Sequence, residues 1–296
     1  MTTGTDIDID NAKSVQQQRY QAAGQGHVFD YYDSLDAARQ QSLLQQLVDI
    51  QVEQLGTLFQ TAQEQAEDHA ADDVVIEPFT GTVGSSSDAT TTTTTTSTKD
   101  YYEQRGREAI AQGHVAALVL AGGQGTRLGY DGPKGLFDIQ LPSRKSLFQL
   151  LAERLVKLQQ LATAVTTTGT GNDTKCCIPF YIMTSPINHQ TTVDFWNQHD
   201  YFGLSRANVI FFQQGMLPCL TPDGKIIMET ASKVSMAPDG NGGIYPSLLH
   251  SGALDDMEGR GIRHLHVFSI DNALVKPADP AFLGFCLASG ADCGNK

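Results

Sequence analysis

Leu120-Ala-Gly-Gly-Gln-Gly-Thr-Arg-Leu-Gly-Tyr-Asp-Gly-Pro-Lys134-Gly135 sets the architecture of this chain. It leaves the end of Val115-Ala-Ala-Leu-Val-Leu120, a continuous apolar run of the kind buried on both faces of a parallel sheet. Beyond it Leu147, Leu150, Leu151, Leu155, Leu158 and Leu161 recur at helical spacing, with Ser146 as N-cap and Gln149 spaced to complete a capping box. Strand, glycine turn, basic loop and helix together make an α/β phosphate-binding unit. Gly122, Gly123 and Gly125 admit a nucleotide against the backbone, while Arg127 and Lys134 neutralise its charge, Arg as a bidentate donor and Lys as a point charge.

The loop matches neither common phosphate motif. Gly123-x-Gly125 is present, but the third glycine of a dinucleotide fingerprint would fall at Leu128 and Gly129 comes one residue late. A Walker loop is excluded too, because Lys134 lies between Pro133 and Gly135. A plain glycine turn leaves Arg127 and Lys134 in one short loop unexplained.

Composition narrows the classes. The 296 residues have room for a sizeable core plus an appendage. A formal net charge of -13 opposes general attraction to nucleic acid or anionic membranes, so an anionic substrate needs a local basic pocket. The acidic amino terminus lacks the basic and apolar regions of a signal peptide, and the apolar run from Val115 to Ala121 is too short to span a bilayer. Five cysteines without a CxxC pair fit reduced thiols, which places the protein in the cytoplasm. No Gly-x-Ser-x-Gly elbow occurs to anchor a serine hydrolase.

The flanks divide the chain into an N-terminal helical region (1–79), a Ser/Thr-rich disordered linker (80–100) and a nucleotide-binding part (101–296). Helix is expected from about Gln16 to Glu67, with Asp33 or Ser34 capping its main segment. Seven consecutive threonines, Thr90 to Thr96, carry the linker reading, and a second Thr/Gly-rich patch, Thr166 to Thr174, reads as a surface insertion. Strands are expected at Ile178–Thr184, Val209–Phe212 and within Gly261–Asp271, alternating with helices, as in a doubly wound parallel sheet whose ligands lie beyond the carboxyl ends of its strands. Asp279-Pro280 starts a last helix, which ends near Ser289-Gly290.

Two Pro-Asp-Gly turns differ in their flanks. Pro222-Asp223-Gly224 lies between Met216–Leu220 and Ile226–Met228 and reads as a hairpin. Pro238-Asp239-Gly240-Asn241-Gly242-Gly243 has no alternating flanks, and two readings stand: backbone approaching a ligand, or an ordinary loop. Asp271, at the end of a strand, is a natural ligand for the Mg²⁺ that accompanies a triphosphate, with an Asp-Asn turn as the alternative. His264 and His266 share a strand face but have no third ligand nearby, so no metal clip is assigned to them.

The glycine loop with Pro133-Lys134-Gly135, Leu141-Pro-Ser-Arg-Lys145, Phe211-Phe-Gln-Gln-Gly-Met-Leu-Pro218, Met236-Ala-Pro-Asp-Gly-Asn-Gly-Gly243 and Asp271-Asn272 together resemble the eukaryotic UDP-N-acetylglucosamine pyrophosphorylases. The resemblance implies an α/β, Rossmann-like, mostly parallel sheet of nucleotidyltransferase type, incomplete at its C-terminus because family members continue past Lys296. It implies that UTP and N-acetylglucosamine 1-phosphate are the substrates and that Mg²⁺ (or Mn²⁺) is the cofactor. By matched position, Leu120, Ala121, Gly122 and Gly123 would contact the nucleotide, Gln214 and Gly240 the uracil, Lys134 the phosphates and Asn241 the sugar. Asp271 would hold the metal and nucleotide, and Arg127 would act with Lys134 in catalysis. A binding-only fragment and a pyrophosphorylase of different sugar preference are the alternatives.

Overall fold

The computed structural model describes residues 9–70, 77–84, 98–166 and 176–296. The threonine run and residues 167–174 of the second Thr/Gly-rich patch lie outside the described residues.

Three helices come first: α1 (Ile9–Ala22), α2 (Ala37–Asp49) and α3 (Val52–Ala70). Then α4 (Thr98–Ala111), β1 (Val115–Leu120), α5 (Leu147–Thr166), β2 (Phe180–Thr184), α6 (His189–Gln198) and β3 (Val209–Gln213) alternate. Short strands β4 (Met216–Pro218), β5 (Met228–Thr230), β6 (Lys233–Val234) and β7 (Met236–Pro238) follow. The last elements are α7 (Ile244–His250), α8 (Ala253–Gly259), β8 (His264–Ser269) and α9 (Pro280–Ala288). Two compact units result, one from Met1–Phe79 with Met216–Asp239 and the other from Thr80–Gly215 with Gly240–Lys296.

The second unit holds a four-stranded parallel sheet in the order β3-β2-β1-β8. Both faces of β1 are covered, which is why its sequence shows no alternation of polar and apolar residues. Ala117, Val119 and Ala121 join one core with Leu151 and Leu155 of α5, Trp196 of α6 and Leu283 of α9. Ala116 and Leu118 join another with Ile244 and Leu248 of α7 and Met257 of α8. Helices on both faces give the doubly wound arrangement expected from the alternating pattern.

Local expectations meet three corrections. Asp36 caps α2 by accepting from the backbone N–H of Arg39 at 2.9 Å, whereas Asp33 pairs with Lys13 and Ser34 bonds back to the Tyr31 carbonyl. Ser146 Oγ accepts from Gln149 N at 3.2 Å, but the Gln149 side chain donates to Glu153 instead, so the capping box is half made. Thr98 to Asp100, read as linker, form the first turn of α4, where Asp100 complements the helix dipole. The cap of α9 is as expected, with Asp279 accepting from Ala281 N and Pro280 at the first position.

The first unit contains a larger surprise. The turn at Pro222–Gly224 forms, with Thr221 N bonded to Lys225 O, Gly224 N to Thr221 O and Ile227 N to Cys219 O, but among the described residues Leu220 and Ile226 are the only bridged pair across it. The strand Met216–Pro218 pairs instead with Met236–Pro238. An isolated two-stranded hairpin is marginal in water. Ile226 and Val234 are buried among Tyr20, Leu43 and Leu47 of α1 and α2, and burying such a side chain stabilises by roughly 1.5–3 kcal/mol. Packing on the helices therefore outweighs local hairpin pairing.

Glutamine side chains complete this unit. Gln25 donates to the Gly224 carbonyl at 2.8 Å and accepts from Ile226 N at 2.9 Å. Gln46 likewise accepts from Val234 N at 3.1 Å and donates to Ser232 O at 3.4 Å. Each amide presents the donor and acceptor of a peptide unit, so it pairs an otherwise unsatisfied strand edge.

Candidate functional site

The site begins where β1 ends. Leu120 O accepts from Ile270 N at 3.1 Å and Ala121 N donates to Met183 O at 2.8 Å, so the neighbouring strands hold the chain until it enters the loop. The loop then folds back on itself, with Gly125 N bonded to Gly132 O and Lys134 N to Gly123 O. Gln124 and Pro133 form an antiparallel bridge between its limbs. These bonds bring Lys134, eleven residues after Gly123 in the sequence, back to the strand end.

Gln214 approaches from β3. Its backbone N–H extends the ladder to Thr184 O at 2.8 Å, and its side-chain amide lies 2.8 Å from where a Cβ on Gly122 would stand. Glycine is required there by this close approach: a methyl group would displace the amide. The stem of Lys134 passes 3.6 Å from the corresponding point on Gly123.

Asp271 approaches from the other side of β1, two residues past the end of β8. Lys134 Nζ donates to Asp271 Oδ1 at 2.8 Å, joining residues 137 positions apart. The Asp271 side chain is 59% exposed and that of Lys134 20%, so the carboxylate is open to solvent beyond the ammonium. Leu120, Ala121, Gly122, Gly123, Lys134, Gln214 and Asp271 thus gather at the carboxyl edge of the sheet, around the ends of β1, β3 and β8.

The remaining candidates are less tied in. Arg127 lies exposed in a single 3₁₀ turn, Thr126–Leu128, and makes no hydrogen bond or ion pair among the described residues. Gly240 and Asn241 are exposed at the entry to α7, with Asn241 opening the 3₁₀ turn Asn241–Gly243. That helix reaches the sheet through Ser247 Oγ, which accepts from Gly215 N at 3.1 Å. A groove of about 450 Å³ opens beside it, lined among others by His189, Gln213, Gly215, Ser247 and His250. Burial pushes the His189 imidazole below its ordinary range, and its Nδ1 lies 2.7 Å from the Thr184 hydroxyl. His264 and His266 hold no metal cluster: no group of three or more His, Cys, Asp or Glu suited to a metal exists among the described residues. His266 Nδ1 accepts from Ala278 N instead.

Sequence reasoning passed over Asn188. It stands at the N-cap of α6 but gives that helix no side-chain cap. Its carboxamide accepts from Ser185 N at 2.8 Å and donates to Ala121 O at 3.0 Å, and the residue is 1% exposed. Asn188 fixes the carbonyl at the mouth of the glycine loop. The available signal was the Thr184-Ser185-Pro186 break with an Asn three residues after the serine, which reads as an Asx-type cap and gives no hint of a long-range partner.

A family match, to UTP--glucose-1-phosphate uridylyltransferase, covers residues 80–296. UDP-N-acetylhexosamine pyrophosphorylase-like protein 1 of Xenopus tropicalis is 42% identical over 97% of this chain and 55% of that protein. The UDP-N-acetylglucosamine pyrophosphorylase of Saccharomyces cerevisiae is 36% identical over 95% of this chain and 57% of its own length. Among solved structures, the uridine diphosphate N-acetylglucosamine pyrophosphorylase of Trypanosoma brucei, in complex with inhibitor, superposes with a TM-score of 0.74. It is 29% identical, over 97% of this chain and 56% of that one. The chain spans about half the length of the curated relatives it matches. No helix among the described residues is long and apolar enough to cross a membrane.

Proposed function

Because the chain belongs to the UTP--glucose-1-phosphate uridylyltransferase family, we propose that it forms the nucleotide-binding part of a uridylyltransferase. The reaction joins UTP and N-acetylglucosamine 1-phosphate to give UDP-N-acetylglucosamine and pyrophosphate. The observation that carries this reading is the convergence of the Gly122–Gln214 approach with Lys134 and Asp271 at the carboxyl edge of the sheet. The names of the relatives support the N-acetylated sugar.

Each residue has a role that its chemistry can fill. Leu120, Ala121, Gly122 and Gly123 offer backbone to the nucleotide, the Gln214 amide and the Gly240 backbone read the uracil, and Asn241 meets the sugar. Lys134 binds the phosphates as a point charge, and Arg127, without a partner among the described residues, is available to grip phosphate oxygens. The sugar phosphate is itself the nucleophile, so positioning and charge stabilisation suffice without a covalent enzyme intermediate.

The donor set fits a divalent cation shared with substrate. Asp271 offers one hard carboxylate at a half-exposed position, and among the described residues no dedicated cage of ligands surrounds it, which matches the preference of Mg²⁺ for one or two carboxylates plus phosphate oxygens and water. Bound there, Mg²⁺ or Mn²⁺ would neutralise charge on the triphosphate. The five free cysteines support a reducing, cytoplasmic setting.

Pyrophosphate release from UTP plus N-acetylglucosamine 1-phosphate tests the reaction. Lys134→Ala should lower the rate roughly 10²-fold or more, and an unchanged rate removes its role. Preference for glucose 1-phosphate overturns the sugar assignment. UTP binding without turnover favours a binding-only protein.

A further inference from the structure

The residue assigned to the phosphates and the residue assigned to the metal are bonded to each other. Lys134 Nζ donates to Asp271 Oδ1 at 2.8 Å, and the remaining oxygen, Oδ2, lies 3.4 Å from the Ser269 hydroxyl. Ser269 Oγ in turn accepts from Asp271 N at 3.3 Å, so the carboxylate is held beside its own strand end rather than free to turn away. The Lys134 stem lies along Gly123, across the face of the loop where phosphate would approach. Each charge therefore blocks the ligand of the other.

We infer that the Lys134–Asp271 pair is a mutual mask, which makes cation binding conditional on the arrival of a triphosphate. A divalent cation alone must take Asp271 from Lys134 and leave an ammonium beside itself. A metal-free triphosphate alone takes Lys134 and leaves Asp271 as a bare carboxylate facing a polyanion. Only the metal–triphosphate complex supplies an opposite charge to both residues when the pair opens. By linkage each half-ligand then favours the other, and the chain selects the nucleotide as its metal complex. This inference rests on the proposed nucleotide reading.

The test is a titration of Mn²⁺ into the 296-residue chain without nucleotide, counting free Mn²⁺ by electron paramagnetic resonance. Lys134→Gln should bind Mn²⁺ about fivefold or more tighter than the unaltered chain, as expected for removal of one unit charge a few ångströms from the ligand oxygen. Adding Asp271→Asn should abolish that gain. Lys134→Met serves as a second neutral variant, with circular dichroism confirming that either one folds. Equal affinity in the unaltered and neutral variants overturns the mask while leaving UTP binding intact as evidence for the site. A gain that persists in the double variant also overturns it, because the cation is then not on Asp271. Failure of the unaltered chain to bind UTP in the presence of Mn²⁺ removes the nucleotide reading itself, and the mask loses its release step whatever the cation titration gives.

Discussion

The tripeptide Pro-Asp-Gly occurs twice, at Pro222–Gly224 and at Pro238–Gly240, and the two copies have opposite surroundings. Gly224 and Gly240 share a φ of +75°. Around the first copy Gln25 bonds the Gly224 carbonyl, the Phe59 ring lies 3.1 Å from where a Cβ would stand, and Thr221 donates to Asp223 at 2.6 Å. Around the second, none of the described residues lies within 4 Å of a Cβ on Gly240, and Asp239 Oδ1 is buried without a hydrogen-bond partner among them. The same local sequence places a positive-φ glycine in both copies, but the first forms a turn and the second runs from β7 into the 3₁₀ turn Asn241–Gly243. Whether the segment becomes a structural turn or an open loop is decided by what surrounds it.

The contrast can be broken most forcefully at Gln25. Gln25→Ala leaves the Gly224 carbonyl and the buried Ile226 N–H without partners, and the expected loss is about 2–4 kcal/mol of stability. Urea denaturation reads it, and a loss below about 0.5 kcal/mol would mean that water replaces the amide and the first turn is as open as the second.

Next come the glycines. Gly224→Ala puts a side chain into a left-handed conformation and against Phe59, at a cost of about 1–3 kcal/mol to the fold. Gly240 has a ψ of −169° with its positive φ, a region open essentially to glycine alone. Its neighbourhood is empty, so Gly240→Ala should relax the exposed loop, moving the denaturation midpoint little and weakening UTP binding about tenfold, a loss of about 1.4 kcal/mol. Equal losses of stability in both variants would erase the distinction.

The smallest effects have opposite signs. The Thr221 hydroxyl holds the Asp223 carboxyl below its ordinary range, whereas burial pushes that of Asp239 above it. The depressed Asp223 contributes stability above the ordinary carboxylate pKa, and that contribution is lost as pH falls through its folded value. The raised Asp239 keeps its proton longer in the folded chain than in the unfolded one, so stability falls as pH rises from the ordinary value through the raised one. Denaturation midpoints at about pH 4 and about pH 7 should show Asp223→Asn weakening the chain at the higher pH. Asp239→Asn should leave it as stable as the unaltered protein or more so. The same sign for both would sink the comparison.

Much of the sheet unit is legible because its signals are local. The run Val115–Leu120, the leucine spacing after Ser146 and the Asp279-Pro280 cap each act within a few residues, and β1, α5 and α9 form where those signals stand. Asp36 was missed as a cap because Asp33, Ser34 and Asp36 all have suitable side chains, and only the course of the chain chooses among them. Asn188 was missed for a different reason: its partner, Ala121, is 67 residues away.

By itself the sequence determined the strand-loop-helix unit, the parallel alternation of elements around it, and the kinds of residue, glycine, Lys134, Gln214 and Asp271, that a nucleotide site would need. Periodicity, caps and turn chemistry are short-range and survive in a one-dimensional reading. Tertiary structure decided which of these residues meet. It paired Lys134 with Asp271 across 137 positions and turned Gln214 against Gly122. It also took residues 216–239 out of the sheet unit and packed them with the amino-terminal helices, where Gln25 reaches Gly224 across 199 positions. Those outcomes depend on burial of apolar side chains and on satisfying the buried backbone groups that come with them, and both are properties of the folded whole.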